Sequence, residues 1–138
     1  MKNEYDSNNH WKGLIQYHVI FSTKYRRNLF INENFRIRCK ELFLEVSKLN
    51  NYDILVQEID IAKPNHWHGL IKSCNFLSPA MIVNSLKSYT TYHLWKEFPS
   101  YLKQFYWKKH NLWTRGYFCS SIGNANDETI KKYIEEQG

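Results

Sequence analysis

Two short groups of residues could do chemistry. The first is His66-Trp67-His68. On a β-strand, side chains alternate between faces, so residues two apart project the same way. Both imidazoles would leave one face and could share a cation. Imidazole suits Mn²⁺, Zn²⁺, Fe or Ni, whereas Mg²⁺ usually wants more oxygen. The same triplet also reads as two surface histidines at a strand end. The second group is Tyr133 with Gln137, in YIEEQ. Positions four apart lie on one helix face. A tyrosine hydroxyl can attack phosphorus and form a covalent phosphotyrosine, dividing one transfer into two steps. An amide oxygen beside it can complete a metal shell. The alternative is a core helix, with Ile130, Tyr133 and Ile134 packed inward.

A third set is basic. Lys24, Arg26 and Arg27 fall in one loop, Lys87 in a helix, and Lys103, Lys108 and Lys109 further on. Such side chains neutralise phosphates. Tyr25, Tyr89 and Tyr106 lie among them and could stack on unpaired bases. A solvated charged face would carry the same residues.

These groups need elements to position them. Residues 14–22 are β-branched and aromatic and read as a strand. After the basic loop, Asn32 sits where a helix N-cap belongs. Phe35, Cys39, Leu42, Phe43, Val46 and Leu49 then recur at helical spacing up to Asn50-Asn51. Residues 53–61 and 66–73 read as strands joined by a Lys63-Pro64-Asn65 turn. Ser78-Pro79 opens a second helix, with proline where its missing N–H costs nothing. That helix runs to about Glu97. Residues 100–111 give no clear pattern. Residues 112–122 read as a fourth strand, and Asn126 or Asp127 caps a last helix over 128–137. The order β-α-β-β-α-β is the ferredoxin-like split βαβ unit, an α+β fold. One helix is added at the C-terminus, and it carries Tyr133.

Composition narrows the partners. With 138 residues the chain suits a single domain, 1–138, whose first ten polar residues are expected to be loose. The net charge of +6 and pI near 9.2 favour a polyanion. Cys39, Cys74 and Cys119 are too scattered for a disulfide framework or a zinc module. They read as reduced, buried thiols. There is no apolar run near the roughly 20 residues needed to span a membrane, and the start is polar. A cytoplasmic protein is the expectation.

Taken together, the pieces resemble a known family. YHVIFSTKYRRNLF at 17–30, PNHWHGLI at 64–71, KSYTTY at 87–92, LWTRGYFCSSIG from 112 and TIKKYIEEQ to 137 look like the single-tyrosine HUH transposases, the TnpA type. Those enzymes serve insertion sequences that move as single-stranded DNA. The resemblance implies Tyr133 as nucleophile, and His66, His68 and Gln137 as ligands of a divalent metal ion, Mg²⁺ or Mn²⁺. It implies cleavage and rejoining of single-stranded DNA at imperfect hairpins, through a 5′-phosphotyrosine. It also implies a homodimer, in which one subunit's tyrosine helix can complete the other's site. Lys24, Arg26, Arg27, Lys87 and Tyr89 are the candidate DNA contacts. One position departs from the family: Asn65 stands before the first histidine, where Asp is frequent. Asparagine keeps the turn and loses the charge. Two other readings fit the chain: a domesticated nuclease of the same chemistry acting on repeated genomic hairpins, and a non-catalytic nucleic-acid-binding module.

Overall fold

The computed structural model describes residues 15–73 and 77–122. Cys74, the predicted C-terminal helix, Tyr133 and Gln137 lie outside the described residues, as do the first ten residues.

The chain runs β1 (Ile15–Ser22), α1 (Glu33–Leu49), β2 (Asp53–Ile59), β3 (His66–Ser73), α2 (Pro79–Glu97), a short α3 (Pro99–Lys103) and β4 (Phe118–Ile122). A tight turn at Lys24–Arg26, with positive φ at Tyr25 and Arg26, and a 3₁₀ turn at Leu29–Ile31 link β1 to α1. The strands form one antiparallel sheet in the order β2-β3-β1-β4. This is the α+β, ferredoxin-like βαββαβ order expected from the sequence.

Local chemistry explains the boundaries. The Asn32 side chain accepts from the Phe35 N–H at 2.9 Å and starts α1. Asn51, at φ 62°, takes the left-handed turn that ends it. Ser78 caps α2 by accepting from Met81 N–H at 3.2 Å, with Pro79 at the first helical position.

The core lies between the helices and one face of the sheet. Tyr17, Val19 and Phe21 of β1 and Trp67 and Ile71 of β3 meet Phe35, Leu42, Phe43, Ile82 and Leu86. Trp67 is fully buried, 4.6 Å from the Phe43 ring and 5.1 Å from that of Phe21. Its indole N–H donates to Gln57 Oε1 of β2 at 2.9 Å. That bond fixes which face of β3 looks inward, because a slip of one residue would exchange the faces.

The expected strand 112–122 is shorter than predicted. Only Phe118–Ile122 pairs as a ladder; upstream there is an isolated bridge, Trp113 to Thr23. Ladder partners sum to 138 (Ile20 with Phe118), while the bridge sums to 136 (23 with 113). Two extra residues are therefore looped out between them. The Lys87 ammonium takes up the excess, donating to the carbonyls of Thr114, Arg115 and Gly116 at 2.7, 3.2 and 2.9 Å. A half-buried cation on α2 thus holds the segment off the ladder. Within the unpatterned stretch 100–111, the chain forms α3 and then a loop.

Candidate metal and nucleic-acid site

β3 sets the site. With Trp67 locked inward, His66 and His68 emerge on the opposite face, their ring centroids 5.1 Å apart. His66 is half-buried and His68 is 3% exposed.

Asn65 decides the His66 tautomer. Its Oδ1 lies 2.8 Å from His66 Nδ1, and its Nδ2 donates to Asn28 Oδ1 at 3.3 Å. An amide oxygen can only accept, so Nδ1 carries the proton and Nε2 keeps its lone pair. The residue that departs from the family pattern therefore still orients the first histidine. Neither ring nitrogen of His68 has a hydrogen-bond partner among the described residues. Burying a ring with polar atoms left over is unfavourable unless something uses them.

Both imidazoles are held neutral. Burial lowers His66 first, with Lys63 and Arg26 adding their repulsion and Asp60 opposing it. Burial, then the neighbouring His66 and His18, pulls His68 down to about 4. Neutral imidazole is the form that binds a metal ion. The two side chains thus fit a divalent cation in spacing, protonation and available lone pairs. Among the described residues, no group of three or more His, Cys, Asp or Glu side chains could hold one. The third ligand expected from the sequence, Gln137, lies outside them, as does Tyr133.

His18 belongs to none of the candidate site groups above. It lies on the same sheet face, 1% exposed, with its ring stacked on His68 at 5.8 Å between centroids and 25° between planes. The signal was present: Tyr17, Val19 and Phe21 of β1 point to the core, so His18 must share the other face with β3's histidines.

Of the candidate DNA contacts, Arg26 acts electrostatically on His66. It and His66 line a common cleft of about 320 Å³ with Thr114, Gly116, Tyr117 and Phe118. Lys24 and Arg27 place their cations 5.4 and 5.7 Å from the exposed Tyr25 ring. Lys87 is different in kind. An ammonium has three N–H donors, and Lys87 commits them to the three carbonyls of the 114–116 loop. Tyr89 sits on the helix side, its hydroxyl donating to Glu45 at 3.0 Å. Tyr106, suggested above as a stacking residue, is instead a core residue, 3% exposed, and its hydroxyl donates to the Lys24 carbonyl at 2.8 Å. A larger groove of about 1030 Å³ runs along α2 and residues 110–117, and neither His66 nor His68 lines it.

Comparison with known proteins agrees with this architecture. The chain is 27% identical over 128 residues to the transposase of insertion sequence element IS200 from Salmonella typhimurium, spanning 93% of this chain and 80% of the relative. It is 25% identical over 123 residues to the ISDra2 transposase TnpA of Deinococcus radiodurans, spanning 89% and 84%. Its fold superposes with a TM-score of 0.68 on the crystal structure of a Deinococcus radiodurans R1 transposase candidate, at 25% identity over 90% of this chain and 91% of that one. It also superposes with a TM-score of 0.59 on a REP-associated tyrosine transposase bound to a REP hairpin, over 88% of this chain and 62% of that one. At 11% identity, the latter likeness concerns the fold alone. The model of the family described as "Transposase IS200 like" matches residues 12–137, a span that takes in both histidines, Tyr133 and Gln137. The chain belongs to the IS200-like transposase family.

Proposed function

We propose that this transposase cuts and rejoins single-stranded DNA at imperfect hairpins, with Tyr133 as nucleophile and His66, His68 and Gln137 holding a divalent metal ion, Mg²⁺ or Mn²⁺. The observation that carries the reading is the histidine pair: two neutral imidazoles with unused nitrogens on one sheet face, in a chain of this family. Membership of the IS200-like transposase family supports the choice of DNA. When bound, the metal ion would polarise a non-bridging oxygen of the scissile phosphate.

The chain's own residues supply the rest. The Tyr133 oxygen attacks phosphorus in line and loses its proton. The bond to the 3′ oxygen breaks, and that oxygen leaves as a hydroxyl after taking up a proton. The product is a 5′-phosphotyrosine, in which a phosphodiester has been exchanged for another of similar energy. A different strand's 3′-OH can then reverse the step without ATP. Asn65 keeps His66 Nε2 available, and the Trp67–Gln57 bond keeps both imidazoles on the reactive face. A homodimer, in which one subunit's Tyr133 can serve the other's histidines, belongs to the same reading.

The test is covalent-adduct formation on a single-stranded hairpin oligonucleotide with Mn²⁺. The wild-type protein is expected to form a protein–DNA adduct that survives denaturation. Tyr133→Phe should bind the hairpin and form none; an adduct in that variant removes Tyr133 from the role. His66→Ala should fold, bind Mn²⁺ weakly and fail to cleave. Hairpin binding with no adduct from the wild-type protein would favour a non-catalytic binding module.

A further inference from the structure

The cleft beside His66 carries more than the family membership implies. Its outer wall is the looped-out segment that Lys87 holds, with Thr114, Gly116, Tyr117 and Phe118 lining it. Its other wall presents Arg26. Two consecutive non-glycine residues there, Tyr25 at φ 61° and Arg26 at φ 52°, adopt the left-handed conformation. Each such residue costs of the order of 1 kcal/mol and persists only where its surroundings enforce it. Here they do. Arg26 N–H donates to the Thr23 carbonyl at 2.9 Å, and the buried Thr23 hydroxyl donates to the Arg27 carbonyl at 2.7 Å. Lys24 N–H donates to the Leu112 carbonyl at 2.7 Å, while the Tyr106 hydroxyl clamps the Lys24 carbonyl. A strained turn braced from four sides serves to aim a side chain.

That side chain is a guanidinium with no carboxylate partner among the described residues, where the ion pairs all belong to Arg38. No carboxylate among the described residues lines the cleft it shares with His66, a setting that selects an anion. The fork of N–H groups matches two oxygens of a phosphate. At the rim, Tyr117 and Phe118 are 40% and 53% exposed, large apolar rings left facing solvent next to a cation. Such rings stack on unpaired bases.

We propose that Arg26 is a catalytic residue: its guanidinium holds the non-bridging oxygens of the scissile phosphodiester against the His66/His68 edge, with an adjoining unpaired base on Tyr117 and Phe118. This rests on the transposition reading above. As the Tyr133 oxygen bonds to phosphorus and the 3′ oxygen departs, charge builds on the non-bridging oxygens. Two N–H donors already in place stabilise it without reorganisation. The bonds made and broken are those of the phosphodiester exchange, and Arg26 keeps its protons throughout.

The experiment uses the full chain with Mn²⁺ and a hairpin oligonucleotide at saturating concentration. Arg26→Asn removes the guanidinium and tolerates the left-handed backbone; Arg26→Lys keeps the charge and loses the fork. Lys48→Ala, at the far end of α1, controls for loss of one positive charge. Arg26→Asn should slow adduct formation about 100-fold, typical of losing one preorganised donor at developing charge. Its affinity for Mn²⁺ without DNA should not fall. Arg26→Lys should recover part of the rate. A neutral methylphosphonate at the scissile position should weaken wild-type binding and leave Arg26→Asn binding nearly unchanged. A wild-type adduct with an unaltered rate in Arg26→Asn overturns this inference alone. So does a loss confined to overall hairpin affinity and equal to that of Lys48→Ala. No adduct from the wild-type chain overturns the transposition reading and this inference with it.

Discussion

Gly69→Ala is the sharpest test of how the histidines are held. A methyl at residue 69 would sit 2.1 Å from Cη2, 2.5 Å from Cζ2 and 2.8 Å from Cζ3 of Trp67. Ordinary contact begins near 3.4 Å, so the indole would have to retreat by about 1.3 Å (3.4 less 2.1). It cannot retreat freely. Trp67 is fully buried, Phe43 and Phe21 lie against it, and its N–H is tied to Gln57. Overpacking of a dense core costs about 1–3 kcal/mol, and a clash with a rigid ring belongs at the upper end. Taking about 3 kcal/mol, and an unfolding entropy near 2.1 cal/mol/K per residue, Tm should fall by roughly 10 °C. Thermal unfolding followed by circular dichroism measures it. The mechanism is checked by repeating the substitution in a Trp67→Leu background, where no indole remains to collide. There the added methyl should cost less than about 1 kcal/mol, a non-additivity expected of residues in contact. A Tm within about 2 °C of wild type, or an equal cost in both backgrounds, would refute the argument.

Other outcomes follow from single contacts. Asn65→Ala removes the acceptor on His66 Nδ1 and should weaken Mn²⁺ binding about 10- to 100-fold by calorimetry, while Asn65→Asp should restore it; equal affinity in Asn65→Ala would mean that the amide does not orient the ring. Burial pushes the Tyr52 hydroxyl up to about 12 from 10, with a smaller opposing effect from the Ser85 hydroxyl 2.7 Å away. A raised acid contributes stability that is whole below pH 10 and is lost as pH climbs through 12, by at most about 2–3 kcal/mol. Denaturant midpoints measured from pH 9 to 12 should therefore fall less steeply for Tyr52→Phe than for wild type, and parallel curves would count against it.

How much of this could be read from the sequence depends on the range of the interaction concerned. The strands, the helix caps at Asn32 and Ser78 and the shared face of His66 and His68 are local: period, cap chemistry and alternation determine them within a few residues. The β4 boundary was not local. Residues 112–117 have the composition of a strand, but Lys87, more than 25 positions away, captures three successive carbonyls and loops two residues out of register. Likewise, YHVIFS announces a strand without saying that His18 will stack on His68, since that contact follows from how β1 and β3 pair. Tyr106 sits in a Lys-rich stretch and looked like a base-stacking ring, yet its partner is a backbone carbonyl in a loop 82 residues earlier.

These long-range contacts converge on one place. Trp67 and Gly69 serve the core, and because of the two-residue alternation the same strand delivers His66 and His68 to the other face. The β1–α1 loop and the looped-out residues before β4 then close a cleft around His66. The loops are held by contacts from the helix side: Lys87 of α2 from one direction and Tyr106 from the other. A cleft assembled this way is positioned by the buried core, so substitutions in the helix layer should shift its walls and, on the function proposed above, change reactivity there. Geometry also explains why strain is concentrated at Tyr25 and Arg26. The turn between β1 and α1 returns Arg26 to the cleft beside His66, and the positive φ of Tyr25 and Arg26 reverses the chain within four residues of the end of β1.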